Sequence, residues 1–180
     1  SEGTFRLGVA SLYVVIVLDL VVAWALFKFF APVNSWVSRL TAWFRLSFAV
    51  VFLVAVGQLA GVPALLGDGA YRTAFGEDQL DAMVLLRIES YNDIWMAGLL
   101  LFGVHLAGLG YLAYRSGYVP RVIGVLLVVA GAGYAFDTFS SVLSQNPMVV
   151  STVTFLGEFV LAVWLVARGG RVRVAADHEL

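Results

Sequence analysis

Five ionisable residues sit inside long apolar runs of this 180-residue chain: Asp19, Arg45, His105, Asp137 and Glu158. Charges of this kind are costly in hydrocarbon, so each is a functional candidate. Asp19 and Arg45 suit a structural ion pair. His105, Asp137 and Glu158 could bind a proton, a cation or a small ligand. With three carboxylates against one Arg and one His, the group is net negative when all three ionise. In a low-dielectric layer that state does not persist bare: one carboxylate holds a proton, or a cation sits there. Each residue also has a plainer reading. His105 can be a core imidazole bonded to a carboxylate or hydroxyl, and Asp137 or Glu158 can cap backbone groups of an irregular helix.

The elements that position these residues are long and apolar. Hydrophobic residues make up 61% of the chain and mean hydropathy is +0.92, above soluble norms. A spanning helix needs roughly 20 apolar residues. Five stretches qualify, at about 8–30, 40–60, 94–114, 122–143 and 149–167. The fold class expected is therefore an all-α transmembrane bundle of five spans in a single domain, with 168–180 as a cytoplasmic tail. Continuous apolar runs exclude an alternating β-barrel. Pro32 stops the first span and VNSW turns the chain; Asn146-Pro147 ends the fourth. EDQLDAMVLLRIESY has apolar residues at helical spacing opposite Asp78, Asp81, Arg87 and Glu89. It predicts one amphipathic helix, interfacial or packed over the bundle, with the option of running straight into the third span. GVPALLGDGAYRTAFG before it predicts a Gly-rich loop, and no GK[ST] makes it a phosphate loop.

Eight of the eleven Lys and Arg, among them Arg39, Arg115, Arg121 and Arg168, fall on one side; Arg6, Arg72 and Arg87 fall on the other with seven acids. The bias places the C-terminus in the cytoplasm of a cell-membrane protein and 61–93 outside. At 1.5 Å per residue, Asp19 and His105 lie roughly 16 Å below the outer ends, Glu158 roughly 13 Å and Asp137 roughly 9 Å. Small residues flank them: Gly98 and Gly108 by His105, Gly133 and Ser140 by Asp137, Thr154 and Ala162 by Glu158. Small residues are what close helix packing in membranes uses. The expectation is that His105, Asp137 and Glu158 surround a polar cavity open to the outer side.

Other chemistry is weakly supported. There is no Cys, so no thiolate metal site, and one intramembrane His with carboxylates is a poor zinc set. HExxH and GxSxG are missing, so no catalytic residue, metal or cofactor is assigned. A net charge of -1 gives no case for nucleic acid. The partners expected are the lipid bilayer and, for so small a bundle, a second copy or another membrane protein. Three functions are open: a transporter- or sensor-like binding site, a structural or accessory membrane subunit, and a membrane-embedded enzyme.

SEGTFRLG, the APVN turn, AWFRL, GYLAYRSGYVPRVIGVLLVVAGAGYAFD and GEFVLAVWLVARG occur in an order and spacing that resemble the prokaryotic membrane family catalogued as domain of unknown function 4386. The resemblance covers nearly the whole chain. It implies a six-helix protein whose first helix precedes SEG, so the sequence given is expected to lack that helix. It brings no activity and no catalytic residue.

Overall fold

The computed structural model describes residues 2–67, 69–144 and 149–172, and among them the regular structure is helical throughout. The elements are α1 (Glu2–Phe30), α2 (Ser35–Ala60), α3 (Val62–Leu66), α4 (Ala70–Ala74), α5 (Glu77–Arg115), α6 (Arg121–Leu143), α7 (Ser151–Thr154) and α8 (Leu156–Arg168), followed by a 3-10 turn at Gly169–Arg171. Four helices are long and apolar enough to cross a membrane. Asp68, the turn at Asn146-Pro147 and the tail from Arg173 onward lie outside the described residues.

Helix boundaries follow local chemistry. α1 stops two residues before Pro32. α2 then starts early, because the Asn34 side chain accepts from Val37 N at 3.0 Å and caps it. Ser35 and Trp36, expected in the turn, are therefore helical. Between α5 and α6, Gly117 takes φ +73°, the left-handed region open to glycine. The Tyr118 hydroxyl of that turn donates to the Phe29 carbonyl at 2.7 Å and ties the turn to the end of α1.

The amphipathic stretch and the third span are one helix. No proline or glycine interrupts Glu77–Ala97, so α5 runs on for 39 residues, about 58 Å at 1.5 Å per residue. That exceeds the roughly 30 Å hydrocarbon layer. A separate interfacial helix is thus replaced by an extension of the spanning one. Arg87 donates to Gln58 at 2.8 Å and anchors the extension to the end of α2. The preceding Gly-rich stretch is not a plain loop: it holds the two short helices α3 and α4.

The expected fifth span is also different in detail. It is broken at Phe155 into α7 and α8, and α8 has only 13 residues. The start of α7 is set from α6. Asp137, 1% exposed, accepts from Val150 N at 2.8 Å and from Ser151 N at 3.0 Å. A carboxylate from a neighbouring helix thus starts α7 where the chain has no cap of its own.

Packing is antiparallel and close. A Cβ on Gly103 would sit 2.7 Å from the Gly131 carbonyl oxygen, and one on Gly110 2.6 Å from that of Gly124. Those two pairs fix α5 against α6 at backbone contact, as small residues allow. Gly108 meets Thr41 on α2, and Gly157 meets Leu126 on α6, where a Cβ would lie 2.6 Å from the carbonyl. Contacts of α8 thus descend α6, which brings Arg168 back to the end that carries Arg121. Two apolar cores result: Leu106, Leu112, Leu127 and Leu161 near the basic ends, and Phe48, Phe52, Val56 and Leu99 near the other.

Candidate functional site

Arg45 is the centre of the buried polar layer. It reaches across from α2 to Asp19 on α1 and donates to its carboxylate through Nη2. Both side chains are only 14% exposed. Antiparallel packing of α1 on α2 sets this register, since Phe27 meets Ser38 one step further along through a 2.8 Å hydrogen bond. Arg45 Nη1 lies 3.3 Å from His105 Nε2, and the guanidinium stands 5.3 Å from the centroid of the Phe102 ring, a cation–π contact.

The partners of His105 settle its tautomer. Its Nδ1 lies 2.9 Å from the Thr41 carbonyl, which can only accept, so Nδ1 carries the hydrogen. A guanidinium can only donate, so Nε2 offers a lone pair to Arg45. The imidazole is therefore neutral and both nitrogens are used. The space beside it, bounded by Ser38, Thr41, Ala42 and Leu109, leaves no volume for a water.

Glu158 is different. It sits on α8 beside Tyr134 and within electrostatic reach of Arg45 and Asp19, yet among the described residues the ion pairs are Arg45–Asp19 and Arg6–Glu2. Its Oε1 is buried without a hydrogen-bond partner, and so is Arg45 Nε. Both residues line one cavity of about 290 Å³, whose remaining walls are Val22, Leu26, Leu106, Leu109, Leu127, Leu161, Ala162 and Leu165.

The three residues grouped from the sequence as a binding set thus take three separate positions. His105 completes the Arg45 cluster, Asp137 caps α7, and Glu158 faces the cavity. The cavity is apolar apart from Glu158 and Arg45. It runs toward the basic helix ends, since Leu26, Leu109, Leu127 and Leu165 lie within about two turns of them. Among the described residues no group of three His or carboxylate side chains is placed to hold a metal. Two participants were not singled out by sequence. Phe102 sits three residues before His105 and Tyr134 three before Asp137, a spacing that puts each on its neighbour's face.

The fold and the buried charges define an all-helical protein of the membrane type, with several apolar helices around a polar centre. Comparison with known proteins gives its family: residues 1–169 match the model described as Domain of unknown function (DUF4386), and the chain belongs to that family. It is 29% identical over 165 residues to an uncharacterized protein of Archaeoglobus fulgidus, covering 92% of this chain and 85% of the relative. No solved structure matches.

Proposed function

We propose that this is a membrane-embedded binding protein, transporter- or sensor-like, whose site for a proton, cation or small ligand is the cavity between Glu158 and Arg45. The reading places it in the cell membrane, with α7 and α8 together as the fifth crossing and the C-terminus in the cytoplasm. The observation that carries it is the pair of buried, unpartnered polar atoms, Glu158 Oε1 and Arg45 Nε, on residues lining one open volume. A buried polar atom left without a partner costs about 1–3 kcal/mol, and an ion pair between the two would have removed that cost. A bound species removes it instead. In this reading Asp19 and His105 hold the guanidinium still, and Asp137 fixes where the α7–α8 segment begins, so that Glu158 is presented at a set depth.

The test compares the wild-type chain with Glu158→Gln, purified in mild detergent, by native mass spectrometry and by thermal unfolding. The expected result is a bound small species, or proton uptake on titration, that the variant loses while its melting temperature stays level or rises. Binding sites often hold groups that stability alone would not select. A loss of stability above about 2 kcal/mol with no change in bound species would instead make Glu158 a structural element, and the accessory-subunit reading would take its place.

A further inference from the structure

The same cavity has a shape and a polarity that narrow its ligand; this inference rests on the binding reading above and deepens it. We propose that the cavity takes a single-chain amphiphile with a neutral hydroxyl head group, the hydroxyl lying between Glu158 and Arg45 and the chain lying among the leucines toward the basic ends.

Polarity selects the head. Glu158 offers an acceptor oxygen and Arg45 a donor N–H, each buried and unpartnered. A hydroxyl donates once and accepts as well, so one group satisfies both. An ammonium would satisfy Glu158 but meet the positive charge of Arg45 and leave its Nε–H bare. A carboxylate would satisfy Arg45 and confront Glu158. With Glu158 in its neutral, protonated form, either alternative adds a net charge to a layer in which Arg45 is already paired with Asp19.

Volume and walls select the body. Leu106, Leu109, Leu127 and Leu161 present only hydrocarbon. At about 290 Å³ the cavity stands at the lower edge of ligand pockets, which run to roughly 300–1,000 Å³, so one chain fits. The way in is sideways. α1 and α8 flank the cavity, and at its margins Val22 is 39% exposed and Ala162 is exposed as well. In a bundle that spans a bilayer this mouth faces lipid, where such a ligand is dissolved.

The test uses the full chain in lipid nanodiscs, with 1-decanol as probe against decane, decylamine and decanoic acid. The melting temperature is followed as each is titrated. The expected result is a saturable rise with 1-decanol that the other three match only at tenfold or higher concentration. Glu158→Leu, which removes the acceptor, and Ala162→Trp, which blocks the mouth, should each weaken the effect at least tenfold. Ala162 is exposed, so its replacement keeps the test open even where Glu158→Leu folds poorly. A hydroxyl can come from a free long-chain alcohol or from an acylglycerol. Monodecanoylglycerol as a further arm separates them, the tighter of the two naming the source. Preference for decylamine, or for a small cation, lost in Glu158→Gln, would overturn the hydroxyl assignment and leave the binding reading standing. A rise with 1-decanol that neither variant alters is partition into lipid and overturns the inference. If no added species depends on Glu158, water alone fills the cavity and both readings fall.

Discussion

At the scale of single residues, the polar layer is organised by donors and acceptors that exclude one another's alternatives. Arg45 cannot accept and the Thr41 carbonyl cannot donate, so His105 is left one arrangement. Asp19 supplies the negative charge Arg45 needs. Removing one partner of a buried ion pair leaves an uncompensated charge and costs about 3–5 kcal/mol, while replacing both is far milder. Asp19→Leu and Arg45→Leu are each expected to lower stability on that scale, and the double variant by less than either. Thermal unfolding of the four proteins reads this directly. Additive losses would mean that the two side chains act independently. Outside the spans, burial pushes Tyr118 up to about 12, above the ordinary tyrosine value of about 10. The folded state keeps this proton longer than the unfolded state. Its contribution is therefore complete below pH 10 and is lost as the pH rises from 10 to 12. An ultraviolet tyrosinate titration should show a step near 12 that Tyr118→Phe lacks; a missing step near 10 would count against it.

At the scale of elements, the short α7 depends on a residue of another helix. Asp137 accepts two backbone N–H bonds at its start, and hydrogen bonds to charged groups are worth about 1.5–3 kcal/mol each. Asp137→Ala is expected to destabilise the protein by about 2 kcal/mol or more, with Asp137→Asn in between. Hydrogen exchange locates the effect: the Val150 and Ser151 amides should exchange faster in Asp137→Ala while amides in the middle of α2 stay protected. Uniform acceleration along the chain would instead make Asp137 part of the general core.

At the scale of the whole molecule, the antiparallel order of α1, α2, α5, α6 and α8 gathers Arg39, Arg115, Arg121 and Arg168 at one end. In the orientation proposed above, which follows the positive-inside rule, that end lies in the cytoplasm. The chain has no Cys, so single cysteines report cleanly. In intact cells, Asp78→Cys is expected to react with an impermeant maleimide, and Ser116→Cys only after permeabilisation. Labelling of Ser116→Cys from outside would invert the orientation.

By itself, the sequence determined the apolar helices, their turns at Pro32 and Gly117, and the residues that must find partners inside. Hydropathy, helix breakers and charge placement are local properties, legible one segment at a time. Family membership was legible too, in the ordered motifs from SEGTFRLG to GEFVLAVWLVARG. The tertiary structure alone decided which buried polar groups meet. Asp137 reads as a ligand candidate along its own helix and becomes a cap only when α7 arrives, 13 residues later, against α6. His105 reads as open to a ligand until Thr41 and Arg45 on α2 occupy both nitrogens. Glu158 stands apart for the opposite reason: the terminal nitrogens of Arg45 meet Asp19 and His105, and Glu158 Oε1 is left buried without a partner. Helical periodicity gives a residue's face but not the rotation and register of the helix that face will meet. Those are set by close contacts such as Gly103 with Gly131, which join residues far apart in the chain.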